Sequence, residues 1–129
     1  PRDIVSAAAP ICGMTDLVVD YETTRPDLRP YSEEMLGGSP SQAPERYRER
    51  SPVHFVANIR GRLLIIQGDR DPNVTPANLR EVCAALDKAG VRYETLAFAD
   101  EGHGIAKPAN QRVLYARLAD FFADAFAQG

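Results

Sequence analysis

Apolar residues recur along the chain at spacings that alternate between strand and helix. Leu63-Leu64-Ile65-Ile66-Gln67 is a near-continuous apolar run closed by Gly68. Continuous rather than alternating apolarity predicts a central parallel strand buried on both faces. Thr75 and Pro76 then supply a helix cap and a first-turn residue. Leu79, Val82, Cys83 and Leu86 fall at i, i+3, i+4 and i+7, which is one apolar stripe. Gly90 stands where that helix needs a left-handed residue to stop. Val91 to Phe98 predicts the next strand, Ala99 to Lys107 a loop, and Pro108 or Ala109 the start of a last helix. The stripe of that helix is Leu114, Leu118, Phe121, Phe122 and Ala125, with Phe126 assigned to the same core. Upstream, the small apolar run Ile4 to Cys12, closed by Gly13, predicts a further buried strand.

Residues 20–52 break this rhythm. They hold Pro26, Pro30, Pro40, Pro44 and Pro52, the pair Gly37-Gly38 and many charges. This reads as a long, lid-like connection with a short helix around Glu45 to Arg50. The order is strand, long connection, strand, helix, strand, helix. It predicts an α/β fold, with parallel strands and flanking helices. Residues 53–129 form its regular strand/helix units.

A chain of 129 residues that is 44% hydrophobic has one domain's worth of core. Its 15 basic and 18 acidic side chains leave a net charge of −3, without a basic cluster that would attract nucleic acid. No apolar run reaches membrane-spanning length, so no membrane partner is expected. No targeting segment is expected, and the cytoplasm is the favoured compartment, though no residue fixes it. The chain starts at Pro1 and enters an apolar run almost at once, which reads as a piece of a longer polypeptide. Cys12 and Cys83 lack the spacing of a disulfide framework or a zinc motif. They read as two buried free thiols, one on a strand and one on a helix, although a disulfide stays open. No cofactor or metal is expected.

The candidate chemistry lies where two of the strands end. Asp71 follows the first Gly-bearing turn and His103 follows the second, in Glu101-Gly102-His103-Gly104. Ligands of open α/β sheets gather at the carboxyl ends of strands. Neighbouring strands would bring these two side chains together. A buried carboxylate that accepts from imidazole Nδ1-H fixes the tautomer of a general base and stabilises the imidazolium that forms. Either turn alone is a common feature; the order acid then histidine is more specific. Glycines at 68, 102 and 104 are expected to let both turns fold tightly.

With those residues in hand, the sequence resembles the prolyl oligopeptidase family of serine peptidases. The resemblance rests on Ser51-Pro52, Leu63–Gly68 with Asp71, Val74 and Pro76 following, Leu86 and Gly90, Glu101-Gly102-His103-Gly104, and Phe121-Phe122. It covers nearly the whole chain and implies the C-terminal part of an α/β-hydrolase catalytic domain. It implies that Asp71 is the triad acid and His103 the triad base. It also implies that Asn73 and Val74 contact substrate, as a polar group near the substrate backbone and an apolar pocket wall. The implied partner is a peptide or acyl-peptide substrate, gated by a separate propeller. Pro72 departs from an acidic residue common beside the acid, and Gln67 stands where His is frequent. The nucleophile-bearing half is missing: there is no Gly-x-Ser-x-Gly elbow in these 129 residues. The isolated chain is therefore expected to be inactive, and its exposed sheet edge to favour self-association.

Other readings of the same residues are a carboxylesterase fragment on the same fold and a non-catalytic half-domain. Asp69-Arg70-Asp71 could also open a magnesium-dependent phosphatase site, but Gly68 separates it from the strand and Asn73 stands where Thr or Val is wanted. A calcium loop from Asp69, Asp71 and Asn73 lacks the glycine and glutamate that such loops use and contains Pro72. His54 reads as a core or surface residue, and Tyr21, Tyr31 and Tyr47 as packing residues rather than cleft lining. Glu45, Arg46, Arg48, Glu49 and Arg50 read as a solvated helical face.

Overall fold

The computed structural model describes residues 5–127. Its centre is a three-stranded, fully parallel sheet in the order β1-β2-β3, formed by Ala7–Ala8, Arg62–Gly68 and Glu94–Phe98. Strand β2 is the middle one, and five of its residues are buried in a row. Alternate side chains feed two cores. Leu64 and Ile66 pack with Phe98, Leu114 and Phe121 on one face. Ile65 packs with Val56, Val82 and Leu86 on the other. A strand covered on both faces has no polar side to show, and that explains its unbroken apolar run.

The predicted first strand is shorter than expected, and Ile4 lies outside the described residues. Ala7–Ala8 pairs with β2, and Ile11 bridges Ile66 in the same register. Between them stands Pro10, which has no N–H for the ladder. Pairing resumes beyond it, where the Ile66 N–H donates to Pro10 O and the Cys12 N–H to Ile66 O.

Residues 20–52 are more ordered than the predicted connection. They carry most of α1 (Leu17–Thr23), then a 3-10 turn, α2 (Arg29–Leu36) and α3 (Pro44–Arg50). Asp16 caps α1 by accepting from the Val18 and Val19 N–H groups. Gly37, at φ 81, ends α2 in the left-handed conformation. Tyr47 is fully buried, and its hydroxyl donates to Gly38 O. Ser51 links this layer to α1, accepting from the Leu17 N–H and donating to Tyr47 O.

Helix α4 (Pro76–Ala89) has the predicted bounds and helix α5 (Pro108–Ala127) the predicted start. Thr75 stands at the N-cap of α4 but makes no side-chain cap bond, its hydroxyl lying 2.6 Å from that of Thr23 instead. One assignment fails: Phe126 is 66% exposed rather than core. It stacks on Phe122 at the edge of the apolar stripe, one residue past buried Ala125. Tyr31 is exposed too, and so is His54. Both cysteines are free, but only Cys12 is buried as expected; Cys83, on α4, is partly exposed. No helix among the described residues is long and apolar enough to cross a membrane.

Candidate active site

Parallel strands β2 and β3 end side by side, so the turns that follow them face each other. Gln67 and Gly68 pair with Ala97 and Phe98 at that end of the ladder. Beyond it, the Asp69 N–H donates to Phe98 O and the Arg70 N–H to Glu101 O. The two turns are thus stitched together by backbone bonds before any side chain contributes.

Glycine is needed at position 68 for space. A Cβ there would lie 2.1 Å from Gly102 O and 2.7 Å from Glu101 O. Its φ is not positive, so the expected conformational role belongs instead to Gly104, at φ 109.

Asp71 closes on itself. Its Oδ1 accepts from the Asn73 N–H at 2.9 Å and the Val74 N–H at 3.0 Å. That turn is held shut by buried Gln67, whose amide donates to Gly68 O and Val74 O. The Asp71 side chain is fully buried, and its remaining oxygen, Oδ2, lies 2.8 Å from His103 Nδ1. The imidazole is 48% exposed, which leaves its outer edge open to solvent. Buried Glu101 anchors the histidine loop from below, accepting from the Lys107 N–H and the Asn110 amide. This arrangement can hold an imidazole in one tautomer and stabilise its protonated form.

The other predicted site residues divide. Asn73 is half-buried beside the acid, and its Oδ1 has no hydrogen-bond partner. Val74 is buried at 5% exposure and contributes backbone groups to the Asp71 turn. Two residues outside the predicted set also belong here. Cys12 is buried, and its Sγ, an Asp71 carboxylate oxygen and a His103 nitrogen all lie within 4.8 Å of one another. Asn78, 1% exposed, accepts from the Thr15 and Asp16 N–H groups and donates to Asp20. It thereby fastens α1 to α4. The Thr24 hydroxyl and the Arg25 N–H complete the attachment at Asn73 O and Pro72 O.

Asp20 is a buried carboxyl outside the pair. Burial pushes it up from 3.8 to about 6, against the hydrogen bond from Asn78 and with the Asp71 charge adding to the rise. The folded state therefore holds this proton more tightly than the unfolded chain. The stability it lends is whole below about pH 4 and is lost as pH rises through about 6. Asp20→Asn keeps an acceptor for Asn78 and removes the charge. It should raise stability at neutral pH by roughly 1–3 kcal/mol and flatten the decline between about pH 4 and 6. Urea midpoints measured across that range check this; an unchanged slope in the variant would assign the decline elsewhere.

The model of the prolyl oligopeptidase family matches residues 2–129. Dipeptidyl peptidase family member 6 of Caenorhabditis elegans is 32% identical over 83 residues, covering 64% of this chain and 11% of its own length. Esterase LipQ of Mycobacterium tuberculosis is 29% identical over 121 residues, covering 91% of this chain and 28% of its own. A puromycin-hydrolyzing peptidase of Mycobacterium tuberculosis superposes with a TM-score of 0.84 at 31% identity, over 95% of this chain and 19% of that one. The chain thus spans less than a third of each of these proteins. The fold is that of part of an α/β-hydrolase peptidase domain.

Proposed function

This chain belongs to the prolyl oligopeptidase family of serine peptidases, and from that premise we propose that it is the C-terminal part of a peptidase catalytic domain in which Asp71 is the triad acid and His103 the base. The observation that carries the reading is the 2.8 Å approach of His103 Nδ1 to the fully buried Asp71 carboxylate. With the proton on Nδ1 donated to Asp71, His103 Nε2 is free to accept the proton of a serine hydroxyl. The serine attacks the scissile carbonyl. His103 returns the proton to the leaving amine, and water then hydrolyses the acyl-enzyme. Asn73, with its unbonded amide oxygen beside the acid, would meet the substrate backbone. Val74 would form the apolar wall next to it.

These 129 residues contain no Gly-x-Ser-x-Gly elbow. The reading therefore places the nucleophile and its oxyanion donors in sequence outside them, and the isolated chain is inactive. A second reading, an acyl-ester hydrolase, is favoured by the extent of the match to the esterase relative. Both use the same acid and base.

Assay of the full-length polypeptide on aminoacyl-arylamides and on short acyl esters separates the two. Amide turnover is expected. Ester turnover without amide turnover would replace the peptidase reading with the esterase one. The 129-residue chain alone should not react with a fluorophosphonate probe; stoichiometric labelling of one of its serines would show that it carries its own nucleophile.

A further inference from the structure

The Asp71–His103 pair has a third neighbour that proton transfer does not use. Cys12 lies where the β1 segment ends, next to β2, and its backbone N–H is bonded to Ile66 O at 2.9 Å. It is the one non-glycine residue with positive φ among the described residues, at 51°. That conformation is disfavoured for a side-chain-bearing residue and persists only where the surroundings impose it. The result is a buried thiol beside a buried carboxylate and a half-exposed imidazole, with the three donor atoms within 4.8 Å of one another.

We propose that Cys12, Asp71 and His103 form a binding site for a divalent cation of the zinc class, and that its occupation switches the pair off. Sulfur, nitrogen and carboxylate oxygen are the donors zinc takes, and three protein ligands plus water make an open tetrahedral site. Tetrahedral zinc would set the nitrogen–oxygen separation at about 3.3 Å and the sulfur–nitrogen or sulfur–oxygen separation at about 3.6 Å. The Nδ1–Oδ2 distance is 2.8 Å. The pair would open by about half an ångström, and the Cys12 sulfur, now within 4.8 Å of both, would close in by as much as about 1.2 Å, to admit the metal. His103 has room for that adjustment, since its ring is half-exposed and its loop turns at Gly104. Asp71 stays fixed through Oδ1, which keeps its two backbone donors. The exposed side of His103 leaves a place for the water ligand.

Binding displaces the thiol proton to solvent. At the imidazole, the metal takes Nδ1 and the ring proton moves to Nε2, so the ring gains and loses none. A His103 held in that tautomer has no lone pair facing a serine hydroxyl, and the base is blocked. The inhibitory consequence rests on the peptidase reading above; metal binding does not, and it is measured without substrate.

Titration of the reduced protein with Co²⁺ tests the site. One equivalent should produce thiolate-to-cobalt charge-transfer absorption, and Zn²⁺ should abolish it by displacement. Cys12→Ala and Cys12→Ser should remove the band, and His103→Ala should weaken Co²⁺ binding at least about 10–100-fold, since even outer partners of metal ligands are worth that much. His103 is exposed enough that its truncation does not threaten the fold. Cys83→Ala should leave band and affinity unchanged. No band at stoichiometric cobalt, a band that survives loss of Cys12, or a His103→Ala affinity equal to wild type would each overturn the proposal.

Discussion

Asp71→Asn should lower kcat for amide hydrolysis by about four orders of magnitude in the full-length polypeptide, with KM changed little. The substitution isolates the tautomer from the fold. An asparagine oxygen can still accept from the Asn73 and Val74 N–H groups, so the turn keeps both bonds that shape it. The amide nitrogen then replaces Oδ2 opposite His103 Nδ1. A donor there forces Nδ1 to accept and moves the ring proton to Nε2, where the base must be empty. The imidazolium formed on attack also loses its facing negative charge. Asp71→Ala is a poorer test, because it strips the acceptor from two backbone donors and mixes folding with chemistry. Steady-state kinetics on an aminoacyl-arylamide, with circular dichroism to show an intact fold, checks the prediction. A loss below about tenfold would mean that Asp71 is a structural cap and that His103 works without it.

The site's central pair was legible because it depends on little. Two apolar runs that are strands of one parallel sheet, adjacent in order, must end at the same rim, so Asp71 and His103 had to meet there. Cys12 was not legible. Its approach depends on the register of β1 against β2, and Pro10 interrupts the very ladder that sets it. Helices α1 and α2 were hidden for a different reason. They are seven and eight residues long, too short to repeat an apolar stripe, and they are held by the Asp16 cap, the Gly37 stop and side-chain bonds such as Tyr21 to Glu33. The Asp16 cap and the Leu36-Gly37 stop were readable signals for both. Asn78 gave none: nothing in its position on α4 announces that it collects Thr15, Asp16 and Asp20 from a distant segment.

Gly68→Ala should destabilise the protein by about 3 kcal/mol, at the upper end of what overpacking costs, and should remove most of the activity with it. The added methyl group would meet Gly102 O at 2.1 Å, Glu101 O at 2.7 Å and Glu101 C at 2.9 Å, all of them backbone atoms. No side chain can swing aside to make room. Relief requires the histidine loop to lift away from β2, and that loop is tethered by the Arg70 N–H to Glu101 O bond and by the buried Glu101 carboxylate. Lifting it draws His103 away from Asp71, so one methyl group should damage stability and proton transfer together. Gly90→Ala is the control. Its added atom has nothing within 4 Å, although φ is 69°. It should therefore cost only the smaller conformational penalty, about 1 kcal/mol, and leave the His103–Asp71 distance alone. Urea denaturation gives the stabilities, and the downfield proton resonance of an imidazole bonded to carboxylate reports the pair. If Gly68→Ala cost no more than Gly90→Ala and kept that resonance, the two loops would be free to separate, and the rigid rim on which the acid and the base depend would not exist.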